Sequence, residues 1–301
     1  MMQLPKSRIR KRNILLIVVL VLFGGSYVRH KYLTGQITVS GRLLNKAMNE
    51  TSGIASSDIF KDMFYVHNDS GDESRFFMIS PDGTLHHIFK YNGNNSDDDC
   101  EDIAVGPGPI KEKSYVYVGD IGDNGANRNT ITIYRFEEKR SWLKDSIINL
   151  NSQKLYLQYP DGPKDAEALM IDPIDELFYI VTKRKDTVRI YTSPLAHKPN
   201  DTLILTYRGK LFFEGTKPFK WITSGDISKD GDKVLLKSYD KVYYWKRKGD
   251  EHIWQTLQKK PELLTYQAEK MGEAIGFAAN GKSYYTVSEG LYAPIYYYTT
   301  P

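Results

Sequence analysis

A short segment that recurs five times along the chain constrains the fold more than any other feature. It reads Ser52-Gly53-Ile54-Ala55, Glu101-Asp102-Ile103-Ala104, Glu167-Ala168-Leu169-Met170, Ser224-Gly225-Asp226-Ile227 and Glu273-Ala274-Ile275-Gly276. Each copy is followed by further runs rich in β-branched and aromatic residues, the signature of strands. In the first copy these are residues 64–69, 75–80 and 85–91; in the second, 115–120, 130–136 and 154–159; in the third, 177–182, 188–193 and 203–211. The fourth copy continues with 233–239, 242–246 and 253–257, and the fifth with 283–288 and 295–299. Measured at Ser52, Glu101, Glu167, Asp226 and Glu273, the copies return after 49, 66, 59 and 47 residues, a spacing that suits four-stranded propeller blades.

The fifth copy stops one strand short, while residues 36–44 form a strand-like run with no partner ahead of the first copy. An N-terminal strand that completes the last blade would close the ring and leave few open sheet edges. The expected fold is therefore all-β, a β-propeller of five blades, with a sixth blade inside residues 137–160 left open by the spacing. A β-sandwich with accidental repetition predicts no shared acidic opening, yet three copies begin with Glu, then a small or acidic residue, then Ile or Leu. The 22 Tyr, 12 Phe, 23 Gly and 13 Pro agree with many short strands and turns.

Ahead of the repeats, Lys6, Arg8, Arg10, Lys11 and Arg12 precede an apolar stretch from Ile14 to Val28. That stretch is shorter than the roughly 20 residues that usually span a bilayer, so a cleaved signal peptide and an uncleaved anchor are both open. Arg29, His30 and Lys31 close the run and favour the anchor. Residues 1–31 are accordingly expected to be a cytoplasmic tail and membrane segment. Residues 32–301 are expected to be one propeller domain outside the cytoplasm, periplasmic or at the cell surface, and secreted if the segment is cleaved.

Nine of the 41 Lys and Arg, and none of the 37 acids, fall in residues 1–49, so the remainder is mildly acidic. A nucleic-acid binder would need a basic stripe instead. The single cysteine, Cys100, excludes an intrachain disulfide.

In a blade, the start of the innermost strand and the end of the second meet on one face, around the central channel. The repeats therefore direct Ser52, Glu101, Glu167, Asp226 (or its neighbour Ser224) and Glu273 toward a common mouth. The second-strand ends bring Asp69, Asp120, Asp123, Lys183, Arg184, Lys185 and Tyr239 to the same face. Several carboxylates on a narrow axis need a counter-charge. A bound hard cation supplies it, and calcium accepts such an irregular oxygen set; protonation or pairing with lysine is the alternative. The six His and one Cys show no transition-metal spacing.

At Asp165-Ala166-Glu167-Ala168-Leu169 and Gly272-Glu273-Ala274-Ile275 the sequence resembles bacterial extracytoplasmic propellers of the phytase-like type. Its blade openings also resemble those of the five-bladed calcium-activated apyrases. The resemblance implies that Ser52, Glu101, Glu167 and Glu273 hold calcium directly or through water, with Gly225 or Asp226 at the matching place in the fourth copy.

Two functions follow as expectations. One is a binding module whose polar face takes an anionic small molecule, a glycan or a protein, with Lys183, Arg184, Lys185 and Tyr239 in contact with it. The other is a calcium-dependent hydrolase of a phosphoester or other anionic substrate, with Asp69, Asp120 or Asp123 as general base.

Overall fold

A computed structural model describes residues 37–94 and 98–301. The basic and apolar segment within residues 1–31, and with it the expected anchor, lies outside the described residues. Among those residues no helix is long and apolar enough to cross a membrane.

The chain starts with β1 (Ile37–Arg42). Blade 1 follows as β2 (Thr51–Ser56), β3 (Phe64–Asn68), β4 (Arg75–Ile79) and β5 (Leu85–Tyr91). Blade 2 contains β6 (Cys100–Pro107), β7 (Ser114–Asp120) and β8 (Ile131–Glu137); β9 (Ile147–Leu150) and β10 (Gln153–Gln158) come next. Blade 3 is built from β11 (Ala166–Asp172), β12 (Leu177–Thr182), β13 (Thr187–Pro194) and β15 (Thr206–Phe212), and the intervening β14 (Thr202–Ile204) adds to the sheet of blade 2. Blade 4 comprises β16 (Ile222–Ile227), β17 (Lys233–Ser238), β18 (Val242–Lys246) and β19 (Glu262–Leu264), and blade 5 comprises β20 (Gly272–Phe277), β21 (Ser283–Ser288) and β22 (Pro294–Thr299).

Five sheets result, and their inner strands β2, β6, β11, β16 and β20 contact one another in ring order, with β20 returning to β2. The expected five-bladed propeller is therefore observed. β1 pairs antiparallel with β22, Ile37 opposite Tyr298 and Arg42 opposite Pro294, so the N-terminal strand closes the ring as the missing fourth strand required.

Each blade interface carries its own apolar cluster. Tyr65, Phe76 and Tyr134 pack between blades 1 and 2, Tyr117, Leu169 and Phe178 between blades 2 and 3, and Met170, Tyr179 and Leu236 between blades 3 and 4. Leu235, Ile275 and Tyr284 fill the fourth interface, while Val66, Phe77 and Val287 fill the one at the seam. With each fully buried large side chain worth about 1.5–3 kcal/mol, the interfaces hold the ring together. Inner strands approach closely enough that a Cβ on Gly276 would collide with the Ile54 carbonyl.

Three local expectations are corrected. Residues 137–160 form no sixth blade: a 3-10 turn, Arg140–Lys144, seats Trp142 in the first interface. The chain then runs back as β9, parallel to β5, and returns as β10, the fourth strand of blade 2. The run 203–211 breaks at buried Leu205, so that β14 joins β10 while β15 joins β13. Residues 253–257 are not a strand; Ile253–Thr256 form a helical turn in which Ile253 and Leu257, four apart, both enter the core. Helical spacing explains that outcome, and β19 supplies the fourth strand instead.

Candidate functional site

All five inner strands begin with the same irregularity. Pairing with the second strand skips one residue between Thr51 and Gly53, Cys100 and Asp102, Ala166 and Ala168, Ile222 and Ser224, and Gly272 and Ala274. A bulge re-aims the side chain of the extra residue. The extra residues are Ser52, Glu101, Glu167, Thr223 and Glu273, each no more than 3% exposed. Four of these five are the positions expected from sequence.

The fourth blade differs from expectation. Thr223, not Asp226 or Ser224, occupies the shared position. Asp226 lies at the far end of β16, where its carboxylate accepts the N–H of Ile227 at 2.8 Å and of Phe277 at 2.7 Å. Burial pushes its pKa up to about 7. Ser224 points into the channel, one step deeper than the bulge, and donates to Asp102 at 3.1 Å.

Hydroxyls at the bulges link neighbouring blades. Ser52 donates to the Glu101 carbonyl at 2.7 Å and lies 3.5 Å from Glu273 Oε2, while Thr223 donates to the Glu273 carbonyl at 3.1 Å. Beneath this ring, Asp102 is fully buried in the channel. It accepts the N–H groups of Ile103 at 2.9 Å, Leu169 at 3.0 Å and Gly225 at 3.3 Å, so one carboxylate ties together blades 2, 3 and 4. Burial holds its pKa well above the carboxylate range, against the lowering effect of those donors.

Around the mouth, three carboxylate triads have ligand atoms within 4.8 Å of one another: Asp69, Glu273 and Glu289; Asp69, Asp99 and Glu101; and Glu101, Asp165 and Glu167. Asp69 and Glu101 each belong to two of them, so seven acids form a continuous arc. Burial raises Asp69 to about 6, Glu289 to about 7, and Asp99 and Glu101 also upward; neighbouring carboxylates add to each shift. Asp99 and Asp165 escaped the reading of the repeats because they stand on the loops just ahead of β6 and β11, outside the repeated segment, whereas Glu289 follows the end of β21 and is one of the second-strand ends that the repeats direct to this face.

Lys183 lies inside this arc. Its ammonium pairs with Glu167 Oε1 and stands 5.5 Å from the centre of the Tyr239 ring. Burial alone would lower its pKa, but Glu167, Glu101 and Glu273 overcome that and hold it above the ordinary lysine value. Glu167 is still displaced upward, with burial the larger cause and Lys183 the partial remedy. Its second oxygen, Oε2, has no hydrogen-bond partner among the described residues. Tyr239 donates to Glu273 Oε1 at 2.7 Å.

The Lys183-Arg184-Lys185 run therefore splits. Lys183 turns inward, whereas Arg184, which pairs with Asp165, and Lys185 line a separate pocket of about 160 Å³ with Lys164, Arg189 and Asn124. Two of the expected bases are fully engaged. Asp120 forms a two-pronged pair with Arg128 at 2.5 and 2.7 Å and also accepts the Asp99 N–H. Asp123 accepts the N–H groups of Asn127 and Arg128, which folds the 121–128 loop. Of the three, Asp69 alone faces the acidic arc.

No protein-family model matches the chain, and no curated protein matches it in sequence. Among solved structures, one described as "Structure of Dos1 propeller" covers 83% of this chain and 68% of its own, at 13% identity and a TM-score of 0.39.

Proposed function

We propose that this protein is a membrane-anchored, extracytoplasmic binding module whose acidic mouth holds one hard divalent cation, calcium foremost, beside a basic-rimmed pocket for an anionic ligand. The observation that carries the reading is the triad Asp69, Asp99 and Glu101, three converging carboxylates whose pKa values are all displaced upward. Mutual repulsion and burial of this kind are what a bound cation relieves. Lys183 and Arg184, paired with Glu167 and Asp165, set two positive charges against seven acids and leave Glu167 Oε2 unmatched, so the donor set, all hard oxygens, fits an alkaline-earth ion. Asp165 belongs both to the arc and to the pocket wall, which brings Arg184 and Lys185 next to the cation site.

Calorimetric titration with calcium tests this directly. Binding is expected in wild type and is expected to vanish in Glu101→Gln/Glu167→Gln, together with the calcium-induced rise in melting temperature. Wild type whose melting is indifferent to both calcium and chelator removes the ion from the account.

The likeness of the blade openings to phytase-like propellers and apyrases supports a second reading, calcium-dependent hydrolysis of a phosphoester. Asp69 favours it, since a carboxylate with a pKa near 6 is suited to general-base work near neutrality. Calcium-dependent release of phosphate from a generic aryl phosphate, lost in Asp69→Asn, separates catalysis from binding.

Orientation on the membrane is part of the proposal. Thr38 and Ser40 of β1 line a cavity with Ser57, Asp58 and Asn280, on the face opposite the bulges. A tether entering there leaves the acidic mouth pointing away from the bilayer. Cell fractionation, followed by protease shaving of intact cells, tests the location.

A further inference from the structure

That opposite face carries a cavity of about 700 Å³ at the seam between blades 5 and 1, within the range of small-molecule sites. It is distinct from the acidic mouth, and its function does not depend on the cation reading.

One wall is aromatic. Phe64 and Tyr285 lie 4.6 Å apart between ring centres and Tyr285 and Tyr297 5.1 Å apart; Phe64 and Tyr285 are buried, and half-buried Tyr297 is the ring they back from behind. The other walls are polar and their charges balance, one pair engaged and the other exposed at the rim. Lys229 pairs with Asp58 at 2.7 Å and also donates to the Ser57 carbonyl, while Lys61 stands 4.0 Å from Asp62. With two lysines and two aspartates around it the cavity carries no net charge to select an ionic ligand, and an apolar ligand would strand these groups. Asn280 accepts the Lys282 N–H and the Ser283 hydroxyl at its Oδ1, which leaves its amide donors for a ligand.

The cavity floor is fixed before any ligand arrives. Buried Glu138 accepts from Ser57 Oγ at 2.6 Å, the Tyr65 hydroxyl at 2.9 Å and the Asp58 N–H at 3.3 Å, and so pins the turn that forms one side. Such preorganisation lowers the ordering cost of binding.

A half-buried tyrosine ring, walls without net charge and spare hydrogen-bonding groups together match one ligand chemistry. The geometry points to a binding site for a neutral saccharide, stacked on Tyr297 and bridging the two blades that close the ring.

The test is calorimetric titration of the full chain with chitotriose and maltotriose, and with trigalacturonate as the acidic counterpart. At least one neutral trisaccharide binds saturably, with a dissociation constant below about 1 mM. Because the ligand touches both blades at the seam, it also raises the melting temperature by mass action. Tyr297→Ala weakens binding by roughly tenfold or more, while Tyr297→Phe, which keeps the ring face, stays within about threefold. Thr38→Trp, an exposed β1 position at the rim, blocks binding without touching the core and serves if Tyr297→Ala fails to fold. Lys185→Glu, on the other face, leaves binding unchanged. The assignment is overturned if neither neutral probe gives a saturable signal at about 10 mM, if only trigalacturonate binds, or if binding survives the Thr38→Trp block.

Discussion

The Ser52 hydroxyl crosses from the first inner strand to the second and donates to the Glu101 carbonyl at 2.7 Å, both residues being bulged out of the regular ladder. Thr223 repeats the contact to Glu273 between the fourth and fifth blades. Apolar packing between blades resists separation but tolerates sliding; these two hydrogen bonds, with those gathered by Asp102 and Asp226, fix the relative height of adjacent inner strands, and hence the positions of the carboxylates beside them.

Ser52→Ala is therefore expected to lower stability by about 1 kcal/mol, and Thr223→Val by a similar amount, the ordinary worth of a buried neutral hydrogen bond. Urea denaturation at fixed pH measures both. Both hydroxyls also touch Glu273, one at its carboxylate and one at its carbonyl, so the double variant should depart from additivity by more than about 0.5 kcal/mol. Strict additivity would mean that the Ser52 hydroxyl is engaged by the Glu101 carbonyl alone.

Titration of the arc gives a second prediction. Asp69, with its pKa raised to about 6, favours the folded state when protonated. Its contribution is fully present below its unfolded pKa near 4 and is lost as pH rises through 6. Wild-type stability relative to Asp69→Asn, in chelator, should thus fall by roughly 2–3 kcal/mol between about pH 4 and pH 8. Excess calcium should remove most of that decline. A difference that is flat, or that grows with pH, would show that Asp69 is not held in a desolvated, acid-rich environment.

Lys183 and Glu167 permit a sharper test. Lys183→Met strips the counter-charge from a buried carboxylate and should cost about 3–5 kcal/mol near pH 8. Adding Glu167→Gln should restore most of the loss, and restoration should also come from lowering the pH, because Glu167 then takes up a proton. Thermal melts of the four members of the cycle at two pH values suffice. Equal losses in the single and double variants would assign Lys183 to packing alone.

The ring, its five blades and its closure by the N-terminal strand were legible because each rests on a repeated local pattern. Register was not legible in blade 4. Thr51-Ser52-Gly53 and Thr223-Ser224-Gly225 are identical triplets, yet the bulge falls on Ser52 in one and Thr223 in the other. A one-residue offset sends the side chain to a different side of the strand, and which residue bulges is decided by pairing with the second strand. The Lys183-Arg184-Lys185 run hid a similar division, because successive residues at a strand end point in opposite directions. Ile253 and Leu257 illustrate a third limit: apolar residues four apart are read equally well as a short strand or a helical turn until the neighbouring blade provides the surface they pack on.

Asp102 is the residue whose role the repeats gave least reason to expect, and it yields the last prediction. The matching places in the other blades hold Gly53, Ala168, Ser224 and Ala274, so the channel has room for one carboxylate among small side chains. Three backbone N–H groups and the Ser224 hydroxyl converge on it, and every one of them is a donor. Asp102→Asn keeps the size but turns an NH2 toward some of those donors, so it should cost about 2–3 kcal/mol, more than deleting any single bond. Asp102→Ala leaves the donors unmatched but opens space for water, and should cost less than the Asn variant if water enters the channel. Chemical denaturation ranks the two. If Asn proves no worse than wild type, the carboxylate is not the acceptor that gathers blades 2, 3 and 4, and the closeness of those strands at the axis has to arise from the apolar interfaces alone.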